Sequence, residues 1–385
     1  MIVGRARTPM GAMQGALSQI TAPELGAAAI GGAIMQAGID AADVSACYMG
    51  CVLQAGLKQA PARQAAIYAG LTSSTVTTTV NKVCGSGMKA VMMACDDLVL
   101  GRHAFVVAGG MENMSLAPHL LAKARAGYRL GHAQALDHLF TDGLEDAYGG
   151  DLMGLLADKT AAMRGLSRAQ QDAFALSSVR DALEAQRTGA FDDEIVPVQT
   201  AKGEVLIDEL PSKAKPEKIP TLKPVFRPEG TITAANASAI ADGAAALVLC
   251  LKSTAEAKGL NVLAEIVSFS EFAGSPEMFT LAPISAIGQA LQAANLEPKE
   301  IGVWEINEAF AMVPLAAVEA LGINPVNVNV YGGACALGHP LGASGARVLA
   351  TLISAMRQQN HKLGVAALCI GGGEGVAMVL RTPGE

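Results

Sequence analysis

Three pairs of distant stretches repeat one another in the same order and at nearly the same offset, about 260 positions. Residues 37–44 read AGIDAADV and residues 294–301 read ANLEPKEI, sharing an alanine, a small or polar residue, an aliphatic, an acid, two variable positions, a second acid and an aliphatic. Each follows an alanine-rich segment of helical spacing that opens on Ala-Pro (Ala22-Pro23, Ala282-Pro283) and leads into an apolar strand, ACYMGCV or GVWEI. Further on, SGMKA from Ser86 pairs with SGARV from Ser344, both opening an amphipathic helix. The strands FVVAGG from Phe105 and ALCIGGG from Ala367 then both run into glycines. Such a chain folds as a duplicated α/β domain with helix-connected, largely parallel strands. At 385 residues it also exceeds the roughly 250–300 at which a single core stops growing.

An insertion of different character separates the halves. Residues 166–190 (LSRAQQDAFALSSVRDALEAQRTGA) predict a helix with a capping box from Ser167 to Gln170 and a stop at Gly189. Residues 211–230 (PSKAKPEKIPTLKPVFRPEG) hold five prolines and five Lys/Arg against two Glu. They read either as a solvated loop or as a shelf for a phosphorylated ligand. The composition is 51% hydrophobic but only 4% aromatic, so the core is built from Ala, Val, Leu, Ile and Met. A net charge of −7 argues against nucleic acid as a partner. No run approaches the ~18 apolar residues of a membrane span. Seven cysteines without a secretory context argue against a disulfide framework, and Cys47 and Cys51 form CxxxC with no second pair at zinc spacing. Neither HExxH nor GxxxxGK[ST] occurs, so no metal is expected. No apolar stretch follows the N-terminal arginines, and a cytoplasmic location is the expectation.

Four stretches place polar or reactive groups in apolar, glycine-lined settings. In NKVCGSG, Cys84 stands at a strand-to-helix corner near unpaired N–H groups, where a thiol ionises most easily. The same residue also reads as a small buried core cysteine. In INEAFA, Asn307 ends a strand, either as a site residue or as a helix cap. In YGGACALGHPLGASGA, His339 precedes a proline in a loop that leads into a helix, and a structural hydrogen bond would also account for it. In LCIGGGEG, Cys369 ends a buried strand, and the glycines that follow leave N–H groups free for an oxyanion. Core packing is the alternative for Cys369. The repeat puts Gly342 at the position equivalent to Cys84, so the two corners face a common crevice and bring a Cys and a His from different halves together.

From RTPMG at Arg7 to GGGEGVAM near the C-terminus, the chain resembles the thiolase family. The motifs that carry the resemblance are VCGSGMKA, GGMENMS, LSRAQQDAFA, NASAIADGAA, NEAFA, GHPLGASGAR and CIGGGEG. The resemblance implies a thiolase fold, with duplicated βαβαβαββ halves in a five-layer αβαβα core and an inserted loop domain. It divides the chain into residues 1–113 with 241–261, the loop domain 114–240 for coenzyme A binding and oligomerisation, and residues 262–385. It implies coenzyme A thioesters as substrates, with no cofactor and no metal, in a homo-oligomer that is usually a dimer of dimers. The better expectation here is a homotetramer.

Carried over position by position, Cys84 takes the acyl group and His339 accepts its proton. Asn307 holds a water that completes an oxyanion site with His339. Cys369 moves the α-proton of acetyl-CoA, and the N–H groups of Cys84 and Gly371 form a second oxyanion hole. Ser238 lines the pantetheine tunnel, Met153, Phe279 and Phe310 line the acyl pocket, and Lys213 stands toward the adenine end. The chain departs from the family in Leu152-Met153-Gly154, where biosynthetic members often carry His-Met-Gly. It departs again at Phe279, where a methionine is usual, and at Ala239, where a glycine lies beside the pantetheine. The implied activity is condensation of two acetyl-CoA to acetoacetyl-CoA and the reverse thiolysis. The rivals are a degradative 3-ketoacyl-CoA thiolase for longer chains and a non-catalytic acyl-CoA-binding relative.

Overall fold

The computed structural model describes residues 1–384. The first half runs β1 (Ile2–Arg7), α1 (Ala22–Ala37), β2 (Ala46–Gly50), α2 (Pro61–Tyr68), β3 (Val76–Val80), α3 (Ser86–Val99) and β4 (Phe105–Asn113). The insertion carries α4 (Met153–Met163) and α5 (Arg168–Thr188). The chain then returns as β5 (Ala241–Cys250) and repeats the pattern: β6 (Glu265–Ala273), α6 (Ala282–Ala294), β7 (Val303–Ile306), α7 (Met312–Leu321), α8 (Ser344–Gln358), β8 (Leu363–Ile370) and β9 (Glu374–Arg381). No helix among the described residues is long and apolar enough to cross a membrane.

The two sheets show the duplication. The first has the order β1-β5-β4-β2-β3, with β2 parallel to β3 and β4, and β5 antiparallel to β1 and β4. The second has the order β6-β9-β8-β7, with β7 parallel to β8 and β9 antiparallel to its neighbours. The counterpart of β3 is reduced to one parallel bridge between Trp304 and Val328. Asn329, at φ +50°, ends the ladder there. Its amide takes over the pairing, accepting from Ile306 N and donating to Ile306 O, each at 2.8 Å. A side chain thus replaces the last strand of the repeat.

Apolar residues fill the four interfaces between five layers. Helices α1 and α2 cover the outer face of the first sheet through Leu25, Ile30, Ala62 and Ala65. Helices α6 and α7 cover the outer face of the second through Ile287, Leu291 and Val313. Between the sheets lie α3 and α8, with Met88, Val91, Val348, Leu349 and Leu352 wholly buried. This continuous burial on both sides explains why strand β4 is apolar at nearly every position rather than alternating.

The predicted helix of the insertion is α5, with Ser167 and Gln170 forming the capping box and Gly189 closing it at φ +74°. The Pro-rich segment holds a short helix, Leu210–Lys213, and a 3₁₀ turn, Pro216–Thr221. A buried charge network fastens the insertion to both halves. Glu194 accepts from Arg7 Nε at 2.6 Å and from Arg5 Nη1 at 3.3 Å on β1. It also accepts from Ser354 Oγ at 2.6 Å and Thr351 Oγ1 at 3.1 Å on α8. Arg7 grips Asp208 with two further bonds of 2.6 and 2.9 Å. Burial works against the Glu194 charge, but the two arginines win and hold its carboxyl below the usual value of 4.5. The pair therefore stabilises the fold above that pH, and the contribution is lost as pH falls through the depressed value.

Glu194→Ala leaves two guanidinium groups short of a buried partner, so the unfolding free energy in urea at pH 7 should drop by about 3–5 kcal/mol.

Candidate active site

The first corner of the site is strained. Val83, the residue before Cys84, has φ +47°, which is costly for a β-branched residue and persists only where the surroundings enforce it. Here Val83 N donates to Asn81 Oδ1 at 3.0 Å, and Val83 O accepts from Ser86 Oγ at 2.6 Å. Ser86 Oγ also accepts from Lys82 N at 2.8 Å, closing the turn. The result lifts Cys84 off the end of β3 at the foot of α3. Lys82 and Lys89 then reach Glu271 and Glu374 in the second half, which ties this turn to the one after β8.

Cys84 and Cys369 are electrostatically coupled. The N–H groups of Gly371 and of Cys84 itself are directed at the Cys84 sulfur, and a charge on Cys84 raises the Cys369 thiol. Cys369 is buried, and burial holds its thiol well above the ordinary range. Burial also pushes Cys84 up to about 11, against the pull of the two N–H groups. This corrects the expectation that the helix corner favours the thiolate, because desolvation outweighs the N–H groups there.

His339 is 5% exposed, and burial with the nearby Arg347 charge pushes its imidazole down to about 3. The ring is therefore neutral at any physiological pH. Its tautomer follows from Ser344. That hydroxyl donates its one hydrogen to Pro340 O at 2.9 Å and lies 2.6 Å from His339 Nδ1, so Nδ1 carries the hydrogen and Ser344 accepts it. Nε2 is left with a lone pair, in a long contact of 3.5 Å with Asn307 Nδ2. Asn307 Oδ1 is buried and meets no protein donor among the described residues. The helix after Asn307 begins only at Met312, so Asn307 is not its cap.

The neighbour of Asn307 does the anchoring. Glu308 accepts from Ser178 Oγ on α5 at 2.7 Å, from Asn329 Nδ2 at 2.8 Å and from Cys335 N at 3.0 Å. One carboxyl thus joins the insertion to two loops of the second half. Beneath His339, Arg347 lies 3.5 Å from Glu305, whose carboxyl burial raises to about 8. Sequence reasoning passed over Ser344, Glu112, Glu305 and Arg347. The one available signal was charge inside apolar runs, as in FVVAGGMEN and GVWEI.

Met153 opens α4 with its sulfur 3.3 Å from where a Cβ on Gly371 would stand. Beyond it, Phe226, Phe310 and Phe279 pack edge to face, with centroids 6.5 and 6.3 Å apart. Gly154 makes room for Phe226, whose ring would meet a Cβ there at 2.0 Å. A groove lined by Lys213, Lys215, Lys218, Ile219 and Leu222 reaches Ala239 and Cys335. Ala239 O accepts the His339 N–H, so the groove ends at the site. Ser238 stands beside it, with its N–H donating to Ala309 O. Lys213 lines this groove but is paired with Glu209, leaving Lys215 and Lys218 as the cations without an ion pair there among the described residues.

Two cysteines, a neutral histidine and an asparagine are thus drawn from both halves of a duplicated α/β fold. The family models described as thiolase N-terminal domain and thiolase C-terminal domain match residues 1–253 and 260–382, and the chain belongs to the thiolase family. It is 49% identical to acetyl-CoA acetyltransferase 2 of Arabidopsis thaliana, over 99% of this chain and 96% of that one. It is 48% identical to the acetyl-CoA acetyltransferase of Escherichia coli (strain K12), over 99% and 98%. The crystal structure of the Acat5 thiolase from Ascaris suum in complex with coenzyme A superposes with a TM-score of 0.96 at 40% identity, covering 99% of both chains.

With Cys84 near 11 and His339 near 3, the free enzyme holds a thiol beside a neutral imidazole rather than an ion pair. Inactivation by iodoacetamide should therefore rise steadily from pH 6 to above 9, with Cys84 the alkylated residue by mass. A plateau starting below pH 7 would contradict the neutral pair.

Proposed function

We propose that the chain is an acetyl-CoA acetyltransferase, condensing two acetyl-CoA to acetoacetyl-CoA and running the reverse thiolysis through an acyl group on Cys84. What supports this reading is the Gly371 N–H directed at Cys84, the coupling of Cys84 to Cys369, and the His339–Asn307 contact at the end of the lysine-lined groove. Cys84 Sγ attacks the thioester carbonyl carbon while its proton passes to His339 Nε2, the lone pair that Ser344 leaves free. The coenzyme A sulfur leaves with the Cys369 proton, which makes Cys369 a thiolate and leaves the Cys84 proton on His339. The protonated Nε2 and Asn307 face the carbonyl oxygen as its charge develops.

In the second step Cys369, as thiolate, takes the α-proton of another acetyl-CoA. The resulting carbon attacks the acyl carbonyl on Cys84, whose oxygen is held by the N–H groups of Cys84 and Gly371. Collapse releases acetoacetyl-CoA and the Cys84 sulfur, which takes back the proton held on His339, while Cys369 keeps the α-proton, so both cysteines end as thiols. Coenzyme A occupies the groove beside Ser238, with Lys215 and Lys218 placed for its phosphates. Lys213 is shared with Glu209. The aromatic edge formed by Phe226, Phe310 and Phe279 sets a short acyl pocket. A cytoplasmic homotetramer goes with this reading. The exposed arm that pairs His119–Leu120 with Leu136–Asp137 supplies the contact between dimers.

Thiolysis of a panel from acetoacetyl-CoA to long-chain 3-ketoacyl-CoA by free coenzyme A tests the reading. Cleavage confined to the four-carbon substrate is the expected result. Preference for longer chains would make this a degradative thiolase, and no cleavage by folded protein would make it a binding relative. Ser344→Ala releases the imidazole tautomer, so kcat should fall by about tenfold, the rate equivalent of one hydrogen bond, with KM little changed.

A further inference from the structure

We propose that Glu112 is a positioning residue for the acyl-transfer chemistry, the joint that keys the His339 loop of the second half into the first half. The proposal rests on the acyltransferase reading for its kinetic consequence and on geometry alone for the joint. Glu112 is wholly buried near the end of β4. Its carboxylate accepts from Val52 N and Leu53 N, both at 3.0 Å, and from Gly342 N at 2.8 Å, with the Cys51 thiol at 3.7 Å. Two of the N–H donors follow β2 in the first half, and the third lies three residues after His339.

The Gly342 peptide is gripped at its other end as well. A Cβ at Gly110 would stand 1.9 Å from Gly342 O, one at Gly50 2.6 Å and one at Gly87 3.0 Å. Three glycines of the first half thus form a socket for one carbonyl of the second, while Glu112 holds the adjoining N–H. What Gly342 does reaches both reacting groups. Residues 339–344 form one closed turn, in which Pro340 O accepts from Ala343 N, Ser344 N and Ser344 Oγ, and Ser344 Oγ holds the His339 ring. On the other side, Val52, Leu53 and Leu341 form with Met114 and Leu139 the apolar wall against which Cys84 packs. One carboxylate therefore fixes the His339 turn and the wall behind Cys84 relative to each other. Burial disfavours its charge more than the three N–H groups favour it, so the carboxyl is pushed up to about 7. An acceptor with four lone pairs suits this cluster of donors, whereas a glutamine turns an N–H₂ toward at least one of them.

The test is steady-state thiolysis of acetoacetyl-CoA by Glu112→Gln and Glu112→Asp, with folding checked by circular dichroism. Displacing a reacting group by an ångström should lower kcat by about a hundredfold. KM for both substrates should stay within about threefold, because the coenzyme A groove is untouched. Glu112→Asp keeps the charge but loses the reach, and it should not rescue. A folded variant with kcat within about twofold of the unsubstituted enzyme, or with raised KM at unchanged kcat, overturns the proposal. Should neither variant fold, amide hydrogen exchange on the unsubstituted protein decides. Segments 51–54 and 338–343 exchanging as slowly as β4 supports the joint, and exchange at the rate of exposed loops overturns it. That measurement needs no activity, so a protein that cleaves no ketoacyl thioester would sink the functional reading while leaving the joint separately tested.

Discussion

Helices α3 and α8 approach so closely at their N-termini that a methyl group on Gly345 would stand 2.3 Å from Met88 N, and one on Gly87 2.8 Å from Ala346 N. Only backbone fits between them. This contact lies in the middle layer, where the two copies of the repeat face each other, and the site is arranged around it. Cys84 lies just before the first helix and His339 just before the second, so the distance between helices sets the distance between these two residues. Neither half alone holds the constellation. The strands leading into the helices, the glycines of β2 and β4, and the turn after β8 all converge on the same few ångströms.

The electrostatics follow from that depth. A helix N-terminus favours an anion by about 1 kcal/mol, less than burial costs a thiolate in an apolar wall. Arg347 adds to the burial that keeps His339 neutral, and Ser344 decides which nitrogen is free. Positive charge is therefore withheld from the histidine at rest.

The duplication was legible because repeated local chemistry leaves repeated letters: Ala-Pro at helix starts, acids three apart, Ser-Gly at the inner helices. The α5 boundaries were legible for a similar reason, since Ser167, Gln170 and Gly189 act on neighbours within a turn. Of the sequence-derived site residues, Cys84 is coupled to Gly371 and Cys369, and Asn307 touches His339. What could not be read depends on distant partners. Glu112 bonds to donors about 60 and 230 positions away, and its motif shows only an acid in an apolar run. Asn329 replaces a strand through side-chain bonds that no periodicity signals. The corner of Cys84 was placed correctly by local signals, but its ionisation was misjudged, because burial is a property of the assembled layers. Lys213 lines the groove, and Glu209 on the preceding turn shares its charge, a pairing its motif did not signal.

A half-buried thiol kept protonated by its surroundings has a consequence for survival in a cell. Peroxide and stray electrophiles react with thiolates far faster than with thiols. A nucleophile that stays protonated at rest presents little of the reactive form to them. Its proton leaves only when a thioester carbonyl is in place to take the sulfur's electrons. Wear on the enzyme is then tied to turnover rather than to time spent waiting for substrate.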